Sequence, residues 1–378
     1  MYRLTFIHLL LSAYVYIRAV HPLRVRWWWK ALLGALLILP ALRNLLLAQA
    51  GGLIFAPAVP SWLLCSTAAL YVAFLICFLG VFGGYILRRL VLSRLLRRKQ
   101  IPTETQQSVF NRLHLALLPL ALGLSIWGVY EGRALPRLQQ ISIPFPTPQP
   151  LRIALISDLH ISSTRSPEHL REIVRMVNAQ QPDLVAITGD FVDGKPEDCM
   201  AQLEPLRELK APLGVFGITG NHDYYSGYAG WRPFFEAWGI RMLDNSHVLL
   251  PRPFGILLAG VTDESVAFEG LEGPDLHKAL HDAPADAPIL LLAHRPIVAR
   301  EAAPLGVRLQ LSGHLHGGLV WGLGIVVAAM DAGYRAGLYR VGDMDLYVSP
   351  GAGSSSRTPL RLGVPTEVTL ITLTPEHS

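Results

Sequence analysis

Cysteine is scarce in this sequence, and so are acidic side chains over its first 150 residues. Only three of the 378 residues are cysteine, and they lie far apart, at Cys65, Cys77 and Cys199. Three isolated cysteines exclude a disulfide framework and leave the redox compartment open. Hydrophobic residues, in contrast, make up 51% of the chain, which is too apolar for a purely soluble enzyme.

The scarcity of acidic residues is confined to one part of the chain. Residues 1–150 contain two, Glu104 and Glu131, against fifteen lysines and arginines, whereas residues 151–378 contain twenty-six against eighteen. The basic part is also apolar, and its arginines cluster between apolar runs, which indicates a lipid bilayer as partner and no nucleic acid. The contrast predicts a transmembrane helical domain over residues 1–134 and a second domain over residues 135–378.

Four apolar runs in the first domain predict a helical bundle of about four transmembrane spans. Each run has close to the ~20 residues that cross the hydrocarbon core. The first could instead be the apolar region of a signal peptide, and the fourth, with His114 and Pro119, a buried or re-entrant helix. The runs cover about residues 5–20, 28–49, 62–87 and 113–130.

Lysines and arginines in the short loops predict the orientation of the spans. The loops between runs one and two and between runs three and four are strongly basic, and residues 50–61 carry no charge. Because cytoplasmic loops are enriched in lysine and arginine, the basic loops are expected inside. The chain is then a multi-pass protein of the cell inner (plasma) membrane, with its second domain on the extracytoplasmic side. That domain would be cytoplasmic if run four did not span.

The second domain alternates strand and helix patterns, and polar residues follow several of its apolar strands. Residues 138–143, in a proline-rich linker, are expected to form an edge strand. Residues 153–156 form the first buried strand, and Asp158 and His160 follow it. In an extended chain these two side chains would point the same way, at the strand end where open α/β sheets place their ligands. Four later strand ends carry Gly189-Asp190 with Asp193, Gly220-Asn221-His222-Asp223, His294, and Gly313-His314-Leu315-His316.

Taken singly, each of these groups has an ordinary explanation. Gly-Asp and Asn-His are common in turns, and a lone histidine after a strand is commonly packed in a core. Five such strand ends in one domain are poorly explained by turns. Seven of these residues are candidate ligands: Asp158, His160, Asp190, Asn221, His294, His314 and His316. They offer nitrogen and oxygen donors without a thiolate, which suits two divalent ions of the Mn, Fe, Zn or Co type.

These motifs resemble the signature of the calcineurin-like metallophosphoesterases, and the resemblance covers about residues 138–374. The flanking text, such as Leu311-Ser312-Gly313-His314-Leu315-His316-Gly317-Gly318, resembles a membrane-anchored bacterial branch of that superfamily. The resemblance implies an α/β fold, a four-layer α-β-β-α sandwich of two mixed sheets. It also implies that metals lie at the carboxyl ends of the strands.

The resemblance further implies a role for each site residue. Asp158, His160 and His316 would hold the first metal, Asn221, His294 and His314 the second, and Asp190 would bridge the two. His222 would face the leaving oxygen as a general acid or transition-state donor, and Asp193 would orient it.

Departures from the family pattern bear on the substrate. Gly194 stands where protein phosphatases of the superfamily usually carry arginine, which argues against a phosphoprotein substrate. Arg295 could grip a substrate phosphate, or form a salt bridge to a surface acid. Leu315, Leu319 and nearby aromatic residues suggest an apolar mouth, and hence a lipid-linked phosphoester.

The sequence therefore predicts a membrane-anchored metallophosphoesterase that hydrolyses a phosphomonoester or phosphodiester by in-line attack of an activated water. One alternative is a pyrophosphatase acting on a nucleotide-linked acylated sugar at the cytoplasmic face. An alternative of another class is a non-catalytic metal- or phosphate-binding membrane sensor or transporter, which Arg43 and Asn44 within a span would favour. The oligomeric state is left open.

Overall fold

A computed structural model of the chain describes residues 2–51, 53, 56–92, 102–322, 324–330 and 332–376. The chain divides into two compact units, Met1–Val129 and Tyr130–Ser378. Helices and strands are numbered below in chain order.

The described residues of the first unit form helices joined by short turns and loops. Three helical stretches, Trp27–Leu47, Ser61–Leu90 and Ser108–Glu131, are long and apolar enough to cross a membrane, while Thr5–Val20 is a shorter apolar helix. A span over residues 5–20 therefore stays a prediction. Arg94, Arg97, Arg98 and Lys99 of the basic loop lie outside the described residues. The four helices are α1 (Tyr2–Val15), α2 (Trp27–Gln49), α3 (Ser61–Leu87) and α4 (Thr103–Glu131).

Several polar side chains are buried among these helices. Arg43 is 2% exposed, and its Nε donates to Thr67 Oγ1 of α3 at 3.3 Å. His8 Nε2 lies 3.0 Å from the hydroxyl of Tyr71. Arg43 thus faces a neighbouring helix, as polar residues inside membrane bundles generally do.

The second unit contains two mixed six-stranded sheets. In the first sheet the strand order is β1-β12-β2-β3-β4-β5, and only the β12-β2 pair is antiparallel. Its strands are β1 (Arg137–Phe145), β2 (Leu151–Ile156), β3 (Leu184–Thr188), β4 (Val215–Ile218), β5 (Ile240–Met242) and β12 (Glu367–Pro375). The expected edge strand is present as β1.

In the second sheet the order is β10-β11-β9-β8-β7-β6, with antiparallel pairs only at its two edges. The strands are β6 (Ser246–Leu249), β7 (Leu257–Gly260), β8 (Ile289–Leu292), β9 (Val307–Ser312), β10 (Gly337–Val341) and β11 (Met344–Val348).

Alternation along the strands explains the layering. Successive strand residues point to opposite faces, so Ile153 and Leu155 of β2 enter the core between the sheets, with Leu290 and Leu309 of the second sheet. Ala154 and Ile156 pack on the outer side against helices. Both faces of the central strands are covered, which is why they read as unbroken apolar runs.

Short helices cover the outer faces of both sheets and complete four layers. The predicted α-β-β-α sandwich is therefore confirmed. The helices are α5 (Pro167–Ala179), α6 (Pro196–Leu203), α7 (Asn221–Tyr225), α8 (Tyr228–Ala237), α9 (Leu276–Ala279), α10 (Ala299–Ala302) and α11 (Gly324–Met330).

Candidate metal centre

The carboxyl ends of β2, β3, β4, β8 and β9 meet at one edge of the two sheets and bring the seven predicted ligands together. Among the described residues, three groups of potential ligands have donor atoms within 4.8 Å of one another, and two of these groups consist only of predicted ligands. Those two are Asp158 with His160 and His316, and Asp190 with His294 and His314; the third is His160 with Asp193 and His222.

The first group is almost entirely buried. His160 Nε2 lies 3.0 Å from His316 Nε2, and His316 Nε2 lies 3.8 Å from Asp158 Oδ1. Asp158 is fully buried, and its carboxylate accepts the backbone N–H of His314 at 3.1 Å. We refer to Asp158, His160 and His316 as the first half of the centre.

The predicted amide ligand, Asn221, lies beside the second group. His294 Nε2 lies 3.3 Å from Asn221 Oδ1 and 3.2 Å from His314 Nδ1. These three side chains form the second half of the centre. All their facing atoms are nitrogen or oxygen, the donor set that borderline divalent cations accept.

Asp190 lies between the two halves. Its Oδ2 is 3.5 Å from His160 Nε2 and 3.4 Å from His294 Nε2, while its Oδ1 accepts the backbone N–H of His222 at 2.8 Å. A carboxylate oxygen equidistant from one histidine of each half is suited to bridging two cations. The residues present therefore fit a pair of divalent ions.

Five of the seven ligands have left-handed backbone conformations. The φ angles are +52° at Asp158, +46° at His160, +54° at Asp190, +71° at His314 and +51° at His316. Such conformations cost of order 1–3 kcal/mol each outside glycine and persist where the surroundings hold them.

The expectation that Asp158 and His160 leave β2 in an extended chain is wrong. Their backbone N–H groups donate to the carbonyls of Gly189 and Asp190 at 3.0 Å each, which holds both residues in left-handed turns. The side chains still converge, through these turns and not through strand alternation.

Two glycines permit the close packing of these loops. A Cβ atom at Gly220 would overlap the carboxylate of Asp190, and one at Gly313 would overlap that of Asp158. The glycines that precede the ligands in sequence are therefore required by close backbone approach.

His222 lies beside the centre with its imidazole 13% exposed. Its Nδ1 is 2.6 Å from Asp193 Oδ1, and the same carboxylate oxygen lies 3.0 Å from His160 Nδ1. Asp193 therefore contacts two histidines, whereas the sequence had predicted one. The backbone N–H of Ser356 donates to its other oxygen at 2.7 Å.

The buried charges in this cluster shift one another's pKa. Burial opposes ionisation of Asp193, but His160 and His222 outweigh it and hold its pKa far below the ordinary value. Burial also opposes protonation of His222, but Asp193 and Asp190 raise its pKa to about 9. Both carboxylates therefore favour the protonated form of this imidazole.

Two further supports for the histidines are absent from the sequence motifs. His294 Nδ1 donates to the carbonyl of Thr188 at 2.7 Å. Arg361, which is fully buried, places Nη2 2.7 Å from His316 Nδ1 and donates Nη1 to the carbonyl of His316 at 2.7 Å. Burial lowers the pKa of Arg361 to about 10. One histidine of the first half therefore faces a cation.

Arg295 is paired with an acid, as one of the two sequence interpretations proposed. Its Nε donates to Asp263 Oδ2 at 2.7 Å and its Nη2 to Oδ1 at 3.3 Å. Asp263 is buried rather than a surface residue, while the Arg295 side chain remains 25% exposed. Arg295 directly follows the predicted ligand His294 in the chain.

Comparison with known proteins agrees with this geometry. Residues 151–318 match the family described as calcineurin-like phosphoesterase. The chain is 36% identical over 332 residues to a "Transmembrane protein with metallophosphoesterase domain" from Danio rerio, covering 83% of this chain and 74% of that protein. It is 32% identical over 336 residues to an "Uncharacterized metallophosphoesterase" from Helicobacter pylori, covering 88% of each. The calcineurin-like phosphoesterase YfkN from Bacillus subtilis is 14% identical, with a TM-score of 0.33 over 59% of this chain and 81% of that one.

The fold and the clustered donors are those of a metal-dependent phosphoester hydrolase. The chain belongs to the calcineurin-like metallophosphoesterase family, and its relatives and apolar helices associate it with a membrane. The expected restriction to a bacterial branch is not borne out, because a relative from an animal matches over most of the chain.

Proposed function

We propose that the chain hydrolyses a phosphoester at a dinuclear metal centre built from the two halves and bridged by Asp190. The placement of Asp190 Oδ2 at 3.5 and 3.4 Å from one histidine of each half carries this proposal. The family resemblance assigns the same seven ligands. Mn, Fe, Zn and Co are all compatible with the donor set.

A pair of divalent cations at this site would neutralise the phosphate and activate a water for in-line attack. The protein's own contribution begins with His222, whose partly exposed imidazole donates a proton to the departing oxygen. Asp193 fixes that ring through Nδ1 and leaves Nε2 to face the substrate. Asn221 contributes a neutral oxygen to the second half and so adds no negative charge there.

We further propose that the phosphoester is carried by a lipid. Arg295 directly follows the predicted ligand His294, and its side chain is 25% exposed, so it can contact a phosphate oxygen. Leu319, three residues after the predicted ligand His316, is a half-buried apolar side chain, whereas Leu315 is buried. A charged headgroup with an apolar tail matches both features.

The domain is proposed to lie on the extracytoplasmic side of the cell inner (plasma) membrane. The support is the basic loops on one side of the predicted spans and the uncharged residues 50–61 on the other. Carboxyl-terminal fusions to alkaline phosphatase and to green fluorescent protein test it. The alkaline phosphatase fusion is expected to be active and the green fluorescent protein fusion to be dark. An inactive phosphatase and a fluorescent protein fusion would place the domain in the cytoplasm.

The catalytic proposal is tested with the full chain in detergent and Mn²⁺, using p-nitrophenyl phosphate and bis-p-nitrophenyl phosphate. Asp190→Asn should lower kcat/KM by about 10³-fold or more, because both halves lose their shared anion. His222→Asn should retain metal and lower kcat by about 10²–10⁴-fold.

Asp183→Asn is the matched control, since Asp183 accepts the backbone N–H of Arg152 at 2.8 Å, before β3 and away from the centre. It should resemble the wild type. If wild type and Asp190→Asn were equally inactive on both substrates while binding metal, the sensor interpretation would replace this one.

A further inference from the structure

Two large apolar side chains project into solvent beside the metal centre. Trp321 is 82% exposed and Ile325 is 71% exposed, more than any other large apolar residue described in the second unit. In the sequence they lie five and nine residues after the predicted ligand His316. We call these two residues the apolar lip.

The backbone of the lip is fixed to the fold. Trp321 donates its N–H to the carbonyl of Leu362 at 2.8 Å, and Leu362 donates to the carbonyl of Leu319 at 2.8 Å. Leu362 follows Arg361, whose guanidinium contacts His316. Trp321 is therefore held in place by the loop that also supports the metal centre, and Gly324, which precedes Ile325, packs closely against Gly318.

The segment that leaves the last apolar helix lies against the same edge of the unit. Helix α4 ends at Glu131, and the next residue, Gly132, packs so tightly that a Cβ there would lie 2.7 Å from the carbonyl of Pro359. Arg165, which is 7% exposed, donates to the carbonyls of Gly132 and Arg133 at 2.8 and 2.9 Å.

These contacts fix where the chain enters the catalytic unit. Arg165 belongs to the loop after β2 that carries Asp158 and His160, and Pro359 belongs to the loop that carries Arg361. Residues 132 and 133, which follow α4, therefore pack against the loops that carry the predicted ligands and support Trp321.

The charge beside the lip also suits a lipid surface. Arg335 is exposed, and a Cβ at Gly324, which adjoins Ile325, would lie 3.3 Å from its Nη1. Tryptophan favours the headgroup region of a bilayer, and arginine beside apolar residues favours anionic headgroups.

We propose that Trp321 and Ile325 insert into the surface of the bilayer that anchors the chain, so that the metal centre opens at the level of the headgroups. The inference deepens the proposed phosphoesterase function, on which it rests, by naming the source of the substrate. That substrate is a phosphoester drawn from the plane of the membrane with its apolar tail still in lipid.

Spin labelling tests the insertion without any turnover. The full chain, with Cys65, Cys77 and Cys199 replaced by alanine, receives Ile325→Cys or Leu249→Cys and a nitroxide. It is then reconstituted in vesicles of phosphatidylcholine and phosphatidylglycerol. Leu249 is the control, because it is 49% exposed but pairs with Leu257 at the start of β7, at the opposite edge of the sheet.

Oxygen concentrates in lipid and a water-soluble nickel chelate does not. The ratio of nitroxide accessibility to oxygen over nickel should therefore be at least about threefold higher at position 325 than at position 249, as for interfacial apolar residues. Equal ratios at the two positions would overturn the proposal.

Kinetics tests the substrate route. p-Nitrophenyl methyl phosphate and p-nitrophenyl hexadecyl phosphate share a scissile bond and differ only in the tail. In vesicles, Trp321→Ser combined with Ile325→Ser should lower kcat/KM for the hexadecyl ester by about tenfold and change that for the methyl ester less than about twofold. Leu249→Ser should change neither.

Equal effects of the double substitution on both esters would contradict the proposed route. If the wild type hydrolysed neither ester, the phosphoesterase proposal would fail for diesters, while the accessibility ratio would still decide whether the lip enters the bilayer.

Discussion

The two halves of the candidate metal centre differ in what stands behind their histidines. In the second half, His294 donates its far nitrogen to a neutral carbonyl, that of Thr188. In the first half, His160 is backed by the carboxylate of Asp193, whereas His316 faces the guanidinium of Arg361. A carboxylate partner makes a histidine a better ligand, while a buried cation repels a metal. Charged groups therefore lie directly behind both histidines of the first half, whereas His294 of the second half is backed by a neutral group.

Asp193→Asn is expected to cause the largest change in the metal affinity of the first half relative to the second. The loss of its charge weakens His160 as a ligand, so the first half should bind Mn²⁺ about 10–100-fold more weakly. The second half should be unchanged. Metal content after dialysis against graded chelator measures this, with Asp183→Asn as control. If the affinities of two bound ions fell equally in Asp193→Asn, metal binding in one half would not be independent of the other.

Arg361→Met should have the next largest effect, with opposite signs on two properties. Removing the cation should strengthen Mn²⁺ binding in the first half by about tenfold. Folding stability should fall by about 1–3 kcal/mol, because the carbonyls of Gly353 and His316 lose a buried donor.

Arg361→Lys is the matched variant, since it keeps the charge and should leave metal binding near that of the wild type. Isothermal titration and chemical unfolding report the two properties. A loss of both stability and affinity in Arg361→Met would mean that Arg361 only supports the loop.

The smallest expected effect concerns His169, which lies outside both halves and affects stability alone. Burial, then Arg165 and Arg133, lower the pKa of His169 to about 4. The unfolded chain keeps an ordinary pKa near 6.5, so between these values it binds a proton that the folded chain does not. Stability should therefore fall as pH drops from about 6.5 towards 4.

His169→Gln should remove part of this slope, as measured by thermal unfolding in detergent after metal removal. An identical pH dependence in variant and wild type would contradict the assignment. Chelator titrations at neutral pH should give the same metal binding for His169→Gln and for the wild type. His169 then has no effect on the difference in metal binding between the two halves.

The sequence predicted the members of the site better than their conformations. Each predicted ligand follows a buried apolar strand, and parallel strands of one sheet end at one edge, so convergence within each sheet follows from topology. The packing of the two sheets against each other, which brings the two sets together, does not. The left-handed turns at Asp158 and His160 could not be read from the chain, because they depend on hydrogen bonds to Gly189 and Asp190. No local pattern marks those bonds.

The supporting residues show a similar limit. Arg361 and Ser356 lie in a loop without periodicity or motif, and only the tertiary structure brings them to His316 and Asp193. Of the two histidines that Asp193 contacts, His222 was predicted from the motif and His160 was not. Strands β5 and β10 were not predicted: β5 has only three residues, and β10 has no buried residue.

The pairing of β1 with β12 has a consequence for synthesis. Strand β12 lies between β1 and β2 in the sheet, although it is the last strand of the unit in sequence. During translation, the segment that emerges behind the apolar helices cannot take its place in the sheet until residues 367–375 have left the ribosome. In a nascent or prematurely terminated chain that lacks these residues, the first sheet of the catalytic unit would therefore remain open between β1 and β2.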